Sequence, residues 1–161
     1  MLYYRLTKLK YLDGLDTNGA ESRGGRFNSA GVPLLYLSSS QALATLEVRV
    51  HARKAFPRQR YLYSIEIPDD EIKTLKDLDL RLPKGWDARP PTVFSQIFGD
   101  EWVASAASLA LAIPSVVSDT DLNLLVNPRH PAWSRVKQVK RRKVTMDARL
   151  WTPPAKKAGP R

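Results

Sequence analysis

The sequence contains no cysteine among its 161 residues. Disulfides and thiolate zinc sites are therefore excluded. Histidine is also scarce, because His51 and His130 carry the only two imidazole groups of the chain. A metal site built from histidines is accordingly not expected, and we predict a protein that needs neither a metal nor a bound cofactor.

Long apolar runs are missing as well. No stretch reaches the roughly 20 consecutive apolar residues that a membrane-spanning helix needs. The first residues, MLYYRLTKLKYLDG, lack the apolar core of a secretory signal peptide. These features predict a cytoplasmic protein that contacts no membrane. Hydrophobic residues still make up 43% of the chain, enough to form the core of one domain.

Acidic residues are nearly absent from the C-terminal end. Residues 135–161 hold ten Lys and Arg and a single acid, Asp147, whereas residues 1–134 hold sixteen Lys and Arg and fifteen acids. The net charge of +10 therefore lies almost entirely at that end. Two interpretations stay open: a solvated basic strand edge followed by a frayed tail, or a surface for an acidic partner or for the DNA backbone.

The pattern of apolar residues predicts a compact α+β domain with a mixed or antiparallel sheet and flanking helices. One helix is predicted over residues 41–53, with an apolar face of Ala42, Leu43, Leu46 and Val50. A second helical region is predicted from about residue 92 to Pro114, with an interruption at Gly99. The predicted strands cover residues 2–6, 34–37, 61–67, 115–117, 122–126 and 136–150, the last as an edge strand. Residues 13–33 and 77–91 are predicted loops, and residues 152–161 a disordered basic tail.

The first group of residues with chemical interest is the segment Gly24-Gly25-Arg26-Phe27-Asn28-Ser29. Glycines allow positive φ and let the backbone approach a ligand closely. A guanidinium beside them can hold a phosphate through two hydrogen bonds. The alternative is a tight turn with a solvated arginine. The segment is neither a Walker loop nor a dinucleotide fingerprint, because strand, glycines and helix do not follow in the required order.

Three further positions carry polar or aromatic groups in apolar surroundings. Tyr36 lies in an apolar strand, where it is either a core residue or an aromatic face for a nucleobase or nicotinamide ring. Glu47 lies four residues from both Leu43 and His51, at the shoulder of the predicted apolar face. An inward carboxylate needs a partner, and the alternative to a functional role is a salt bridge to Arg49, Arg53 or another arginine.

Ser115 follows an apolar stretch, with Asn123 and Asn127 close behind it in the sequence. Such residues near strand ends suit hydrogen bonding to a ribose or an amide. The alternative is ordinary turn chemistry.

Taken in order, YR, GGRFNS, LLYLSSSQALATLEVRVH, GDEW, IPSVV and NLLVNPRHP resemble the RES domain, a family named for an arginine, a glutamate and a serine. The resemblance covers roughly residues 3–136, and we expect the domain to span residues 1–151. It implies a fold like that of ADP-ribosyltransferases and a toxin of a bacterial toxin–antitoxin pair with NAD as substrate. It also implies a partner antitoxin with an Xre-like helix-turn-helix domain.

The resemblance assigns roles to individual residues. Glu47 and Arg5 match catalytic positions of the family, and Ser115 is the best match for its serine. Residues expected to contact NAD are Arg5, Arg26, Asn28, Tyr36 and Ser115. Phe27 stands where the family commonly has a tryptophan.

In the expected reaction, Glu47 stabilises a ribose with oxocarbenium character while the arginines hold the pyrophosphate. The ADP-ribosyl acceptor can be water or phosphate, giving NAD degradation, or a protein side chain. Arginine-directed transferases commonly carry a second glutamate two residues before the catalytic one. Thr45 stands at that position here, which favours NAD degradation.

A rival from another class is a basic nucleic-acid-binding module without chemistry. Against it, the body of the chain is neutral and aromatic residues do not interleave with the basic cluster. We expect contact with DNA only through the antitoxin complex, and an oligomer formed with the antitoxin or with further copies of the chain.

Overall fold

Seven strands form one sheet in a computed structural model that describes residues 1–52 and 59–150. In chain order the strands are β1 (Leu2–Lys8), β2 (Leu35–Ser38), β3 (Gln59–Glu66), β4 (Ile72–Thr74), β5 (Ala110–Pro114), β6 (Leu122–Val126) and β7 (Lys137–Thr145). Side by side they follow the order β4-β5-β6-β2-β1-β3-β7. Every neighbouring pair is antiparallel except β4 and β5. The predicted α+β domain with a mixed sheet is confirmed.

Three α-helices accompany the sheet: α1 (Asn18–Arg23), α2 (Gln41–His51) and α3 (Val93–Ser105). Short 3-10 helices cover Asp69–Glu71, Pro131–Arg135 and Ala148–Leu150. The side chain of Ser40 accepts a hydrogen bond from the Leu43 amide, and Thr92 caps α3 in the same way. These caps satisfy backbone donors that have no partner inside the helix and so fix where both helices begin. No helix in the described ranges is long and apolar enough to cross a membrane.

The core has buried side chains on both faces of the sheet. On one face Tyr63 and Ile65 pack with Leu124 and Val126. On the other, Leu111, Ile113 and Leu125 pack against Phe27, Trp102 and Val103, which brings α3 and the loop before β2 onto the sheet. A smaller cluster joins Ala44 of α2 to Leu6 and Leu62. Both long helices therefore cover the same face.

The apolar face predicted for the first long helix is wrong. Leu43 is buried, but Leu46 and Val50 are 41% and 54% exposed. The buried neighbour of Leu43 is Ala44, and the next turn presents Glu47 and Val48 at intermediate exposure. The inward stripe is thus rotated by about one residue, or roughly 100°. The rotation brings a carboxylate to the inner side. Arg53, the predicted last residue of this helix, and the predicted tail over residues 152–161 lie outside the described ranges.

The end of the second long helix was also predicted wrongly. The helix stops at Ser105, where Ala106 adopts left-handed backbone with φ 47°. Residues 110–114 form strand β5 instead, and residues 115–117 form no strand. The strand lies between β4 and β6, and the two core clusters cover its two faces, with Ala110 in one cluster and Leu111 and Ile113 in the other. A continuous apolar run of this kind does not distinguish a central strand from a buried helix.

Two short elements were not predicted from the sequence. Helix α1 interrupts the loop predicted over residues 13–33, and its residues include none that are buried. Strand β4 has three residues and, among the described strands, pairs with β5 alone. Neither element shows a hydrophobic period, because α1 is too short and too exposed and β4 spans too few residues to alternate.

Helix α3 runs through Gly99 without the predicted interruption. Gly99 is needed for packing, because a Cβ built on it would lie 1.8 Å from the carbonyl oxygen of Phe27. The loop that carries Arg26 and Phe27 therefore rests directly on the backbone of α3.

This contact generates a stability prediction. Helix propensity alone favours Gly99→Ala by up to about 1 kcal/mol, but the clash with backbone should reverse the sign and destabilise the protein by about 1–3 kcal/mol or more. Gly19→Ala in α1 is the matched control, because its Cβ would meet only the flexible end of Arg23. Chemical denaturation of both variants measures the difference. Equal stability of Gly99→Ala and the parent would refute the packing role.

Candidate active site

A cavity of about 880 Å³ opens where β1 and β2 separate. The two strands pair at a single position, Tyr4 with Ser38, although β1 continues to Lys8 and β2 extends back to Leu35. Residues of both strands line the cavity beyond that pair. Since side chains alternate along a strand, Arg5 lies on the face of Tyr63 and Tyr36 on the face of Leu125. The cavity is thus lined from both faces of the sheet.

Glu47 lies on the wall of this cavity, where two side chains hydrogen-bond its carboxylate and a third lies close to it. Its Oε1 accepts a hydrogen bond of 2.7 Å from the amide of Asn123 and one of 3.4 Å from the hydroxyl of Ser115. Oε2 is 3.8 Å from Nε2 of His51, one helical turn further along. The side chain keeps 26% of its surface accessible. Glu47 is therefore oriented by its neighbours and still open to a ligand.

The alternative explanation of Glu47, a salt bridge to an arginine, finds no support in the described ranges. There His51, whose side chain is 81% exposed, lies within 4 Å of the Glu47 carboxylate, and no arginine forms a salt bridge with Glu47. One of the arginines considered, Arg53, falls outside those ranges.

Ser115 does not line the cavity and is connected to it through its hydrogen bond to Glu47. Its hydroxyl also accepts a hydrogen bond from the Val117 amide, and the residue is buried and absent from the cavity wall. Asn123 does line the cavity, and its Oδ1 accepts a hydrogen bond from Ser38 across the β2–β6 pair. From the sequence, Asn123 was expected to suit hydrogen bonding to a ribose or an amide, but its hydrogen bond to Glu47 was not predicted. Its pairing with Ser38 depends on strand register, which the sequence does not display.

Arg26 lines the cavity from the glycine-rich loop. Its Nη1 donates to the carbonyl oxygens of Trp86 and Ala88, at 2.7 and 2.9 Å. Burial and the neighbouring positive charge of Arg89 lower the pKa of Arg26. An arginine nevertheless stays protonated at neutral pH. The alternative of a solvated arginine does not fit these contacts, since Nη1 donates to two backbone carbonyls and the residue lines the cavity.

The loop before β2 is held by one buried polar group. The Tyr36 hydroxyl accepts from the Phe27 amide at 3.0 Å and donates to Oδ1 of Asn28 at 2.7 Å. Asn28 is fully buried, and its amide donates to the carbonyls of Ala20 and Val32. Burial raises the pKa of Tyr36, so its hydroxyl keeps the proton that this network needs. A Cβ on Gly25 would lie 2.7 Å from the same hydroxyl, which explains the second glycine.

Tyr36 lines the cavity but Asn28 does not. The geometry gives Asn28 a positioning role, because its polar atoms bind the loop that carries Arg26. The ligand contact predicted for Asn28 has no support in this arrangement, whereas the aromatic face of Tyr36 remains available to the cavity.

Arg5 also lines the cavity and anchors a loop. Its Nη1 donates to the carbonyl oxygens of Gly14 and Asp16, at 2.8 and 2.7 Å. Burial lowers the pKa of Arg5, and the charge of Asp16 partly opposes that effect. Because the anchoring carbonyls are neutral, the guanidinium charge is not cancelled by a salt bridge and stays available to an anion.

The cavity wall carries a strong excess of positive charge. Six cationic side chains line it against two carboxylates, Asp16 and Glu47; the cations are Arg5, Lys8, Arg23, Arg26, Arg60 and Arg89. Arg60, which is buried, and Arg89, whose Nη2 donates to the Val116 carbonyl at 2.7 Å, were not singled out from the sequence. In a chain with many basic residues, the sequence does not indicate which single arginines the fold brings together in one site. The arrangement suits a ligand with several negative charges near one fixed carboxylate.

The hydroxyl of Tyr36 provides a test of the loop. Tyr36→Phe keeps the ring but leaves the backbone amide of Phe27 and the side-chain oxygen Oδ1 of Asn28 without their hydrogen-bond partner. We expect a loss of about 1–3 kcal/mol in the free energy of unfolding, the usual cost of unsatisfied buried groups. Tyr4→Phe is the control, because the Tyr4 hydroxyl makes no hydrogen bond among the described residues. Urea denaturation of both variants measures this, and equal stability of the two would show that the network does not hold the loop.

Comparison with solved structures finds a similar fold. The chain matches the crystal structure of the M. tuberculosis MbcT–MbcA toxin–antitoxin complex with a TM-score of 0.73, over 89% of this chain and 84% of that one, at 18% sequence identity.

Comparison of sequences finds closer relatives. The chain is 41% identical over 140 residues to the Prs ADP-ribosylating toxin of Sphingobium sp. strain YBL2, covering 86% of this chain and 87% of that protein. It is 38% identical over 135 residues to Toxin Res of Yersinia enterocolitica, covering 83% and 88% of the two proteins. The model of the RES domain matches residues 2–148. This chain therefore belongs to the RES domain family, among relatives that are toxins.

Proposed function

We propose that the protein is a toxin that cleaves the bond between nicotinamide and ribose in NAD. The observation that carries this proposal is the carboxylate of Glu47, held by Asn123 and Ser115 on the wall of a cavity rich in arginine. A fixed anion beside several fixed cations is complementary to a dinucleotide. The cations match its pyrophosphate, and the anion matches the positive charge that develops on the ribose during cleavage.

Arg5 and Arg26 are proposed to hold the pyrophosphate. The Nη1 atom of each arginine donates hydrogen bonds to two backbone carbonyls, which fixes the guanidinium before the ligand binds. Pre-organised donors lose little conformational entropy on binding. The same carbonyl contacts tie the loops around residues 14–16 and 86–88 to the cavity wall, so both arginines also shape the site.

The proposed reaction needs no general acid. The carbon–nitrogen bond breaks with its electron pair moving onto the pyridinium nitrogen, so nicotinamide leaves as a neutral molecule. An acceptor oxygen forms the new bond to ribose C1′ and releases its proton. Glu47 is proposed to hydrogen-bond the ribose 2′-hydroxyl and to stabilise the oxocarbenium character of the sugar. Tyr36 offers its ring to the nicotinamide side of the cavity.

Two acceptors define two candidate activities. Transfer to water or phosphate degrades NAD, and the residue two positions before Glu47 favours it. That residue is Thr45, whose hydroxyl donates to the Gln41 carbonyl at 2.9 Å and offers no carboxylate to orient a protein acceptor. Transfer to a protein side chain is the second candidate, favoured by the Sphingobium relative that is named an ADP-ribosylating toxin. Cleavage of the nicotinamide bond is common to both.

A protein that cleaves NAD must be restrained in the cell that makes it. We propose that a helix-turn-helix antitoxin of the Xre type covers the cavity mouth and forms a hetero-oligomer with this chain in the cytoplasm. The fold shared with a toxin solved together with its antitoxin supports such a partner. The antitoxin would then supply the sequence-specific contacts with DNA.

Turnover of NAD by the purified chain tests the proposal. With NAD alone, with NAD plus phosphate, and with NAD plus a cell extract, chromatography should show free nicotinamide appearing. ADP-ribose or its phosphorylated form identifies the degrading activity, and label from radioactive NAD on a protein identifies the transferase. Chain saturated with antitoxin is the control and should release no nicotinamide. Intact NAD under all three conditions would refute the proposal.

A further inference from the structure

The basic C-terminal cluster singled out from the sequence forms the edge strand β7. This strand pairs with β3 on one side, and its other side has no neighbour among the described strands. Eight of its nine residues are exposed. Five of those eight are cationic; they are Lys137, Lys140, Arg141, Arg142 and Lys143. None of the residues that line the NAD cavity belongs to β7, so the proposed activity does not account for this charge.

These five cations are not neutralised by carboxylates within the described ranges. The arginines on either side of the strand are neutralised, since Arg135 pairs with Asp70 and Glu71, and Arg149 pairs with Asp147. Inside the strand Arg141 donates to the Leu12 carbonyl and Arg142 to the Gln41 side chain, which are both neutral groups. The strand itself therefore carries five positive charges over about 20 Å, at roughly 3.3 Å per residue, and Glu66 of β3 stands opposite Lys137 without a salt bridge in the described ranges.

Charged side chains, lysine above all, protect sheet edges against aggregation, but that role does not require all five charges to have the same sign, as they do here. An acidic peptide added as a further strand is also disfavoured. The register shifts between Ser64 and Ile65, which pair with Lys140 and Gln138 and leave Val139 as an extra residue. Such a bulge interrupts the regular spacing of backbone groups that strand addition requires.

We propose that β7 binds the phosphodiester backbone of a double-stranded nucleic acid, independently of base sequence. The cations project to both sides of the twisted edge: Arg141 opposes Tyr63 on one face and Arg142 opposes Leu62 on the other. A surface of this kind matches a line of phosphates, because attraction to phosphates needs charge density and not a fixed hydrogen-bond register. This inference does not rest on the proposed NAD chemistry.

The test compares the full-length wild-type chain with two triple variants of equal charge. Lys137→Gln, Lys140→Gln and Lys143→Gln remove three charges of β7 that make no hydrogen bond or ion pair in the described ranges. The control removes three exposed cations elsewhere through Lys76→Gln, Arg81→Gln and Lys84→Gln. Fluorescence anisotropy with a labelled 20-base-pair DNA duplex, and with an RNA duplex of the same sequence, measures binding without NAD. Circular dichroism checks that all three proteins are folded.

Five phosphate contacts predict a slope of about −4.5 for log K against log salt, or about a 500-fold loss of DNA affinity between 50 and 200 mM salt. The β7 variant should have a slope shallower by about 2.7, and the control should keep the slope of the wild type. Binding of both duplexes supports recognition of the shared phosphate backbone, and binding of one alone identifies that nucleic acid as the ligand.

Three results would overturn the proposal. The first is no binding of either duplex by the wild type at 50 mM salt. The second is an equal loss in the β7 variant and the control, which would indicate diffuse attraction by net charge. The third is displacement of the duplex by poly-glutamate at the same charge concentration, which would favour an acidic protein partner. If the β7 triple variant does not fold, Lys140→Glu alone should weaken duplex binding more than Lys76→Glu does.

Discussion

The separation of β1 from β2 after one residue pair is the constraint on which the site depends. Tyr4 opposes Ser38, and beyond this pair the strands part and the cavity opens. Ser38 also donates to Asn123, and Asn123 donates to Glu47. The point at which the sheet splits is therefore connected by two hydrogen bonds to the carboxylate that the proposed chemistry uses. A continuous β1–β2 ladder would close the space that the ligand needs.

Burial of arginines in the cavity wall costs hydration free energy, and the fold offsets part of that cost with neutral hydrogen-bond partners. Burial lowers the pKa of Arg5, Arg26 and Arg60, which shows that each loses hydration in the folded chain. Arg5 and Arg26 both donate hydrogen bonds to carbonyl oxygens, and the nearby charges of Asp16 and Glu47 partly oppose the effect of burial without forming a salt bridge. An ion pair would have lowered the cost further but would have cancelled the charge. Carbonyl partners stabilise the guanidinium and keep the field in the cavity positive for an anionic ligand.

The sequence predicted the class of fold and part of the site, and the physical reasons for the remainder are specific. Alternation identified the strand over residues 61–67, and the cluster of basic residues identified the edge strand. Strand β5 was missed because a strand buried on both faces shows no alternation. The inward side of α2 was misplaced by about one residue because a cavity, and not a full apolar surface, lies beneath its last turns.

The same limit applies to single side chains. The roles of Glu47, Arg26 and Tyr36 were expected through resemblance to a family, and the structure brings all three to one cavity. Asn123 was expected only to suit hydrogen bonding to a ribose or an amide, and its contact with Glu47 was not predicted, because its register against Ser38 is set by long-range pairing. Asn28 was expected to touch the ligand, yet it is buried beneath the loop. The residue type at a motif position does not tell whether the side chain points toward a ligand or toward the backbone that holds the motif in place.

The central claim is that the charge of Glu47 acts on the ribose and does not merely stabilise the fold. Thermal melting and NAD turnover measured together on Glu47→Gln test it most directly. The amide keeps an oxygen that can accept from Asn123, so the melting temperature should change little, while turnover should fall at least about 100-fold, or roughly 3 kcal/mol. Glu101→Gln, an exposed change on α3, is the control and should match the parent in both measurements. A stable Glu47→Gln protein with parental turnover would contradict the account, as would one that loses activity only because it has unfolded.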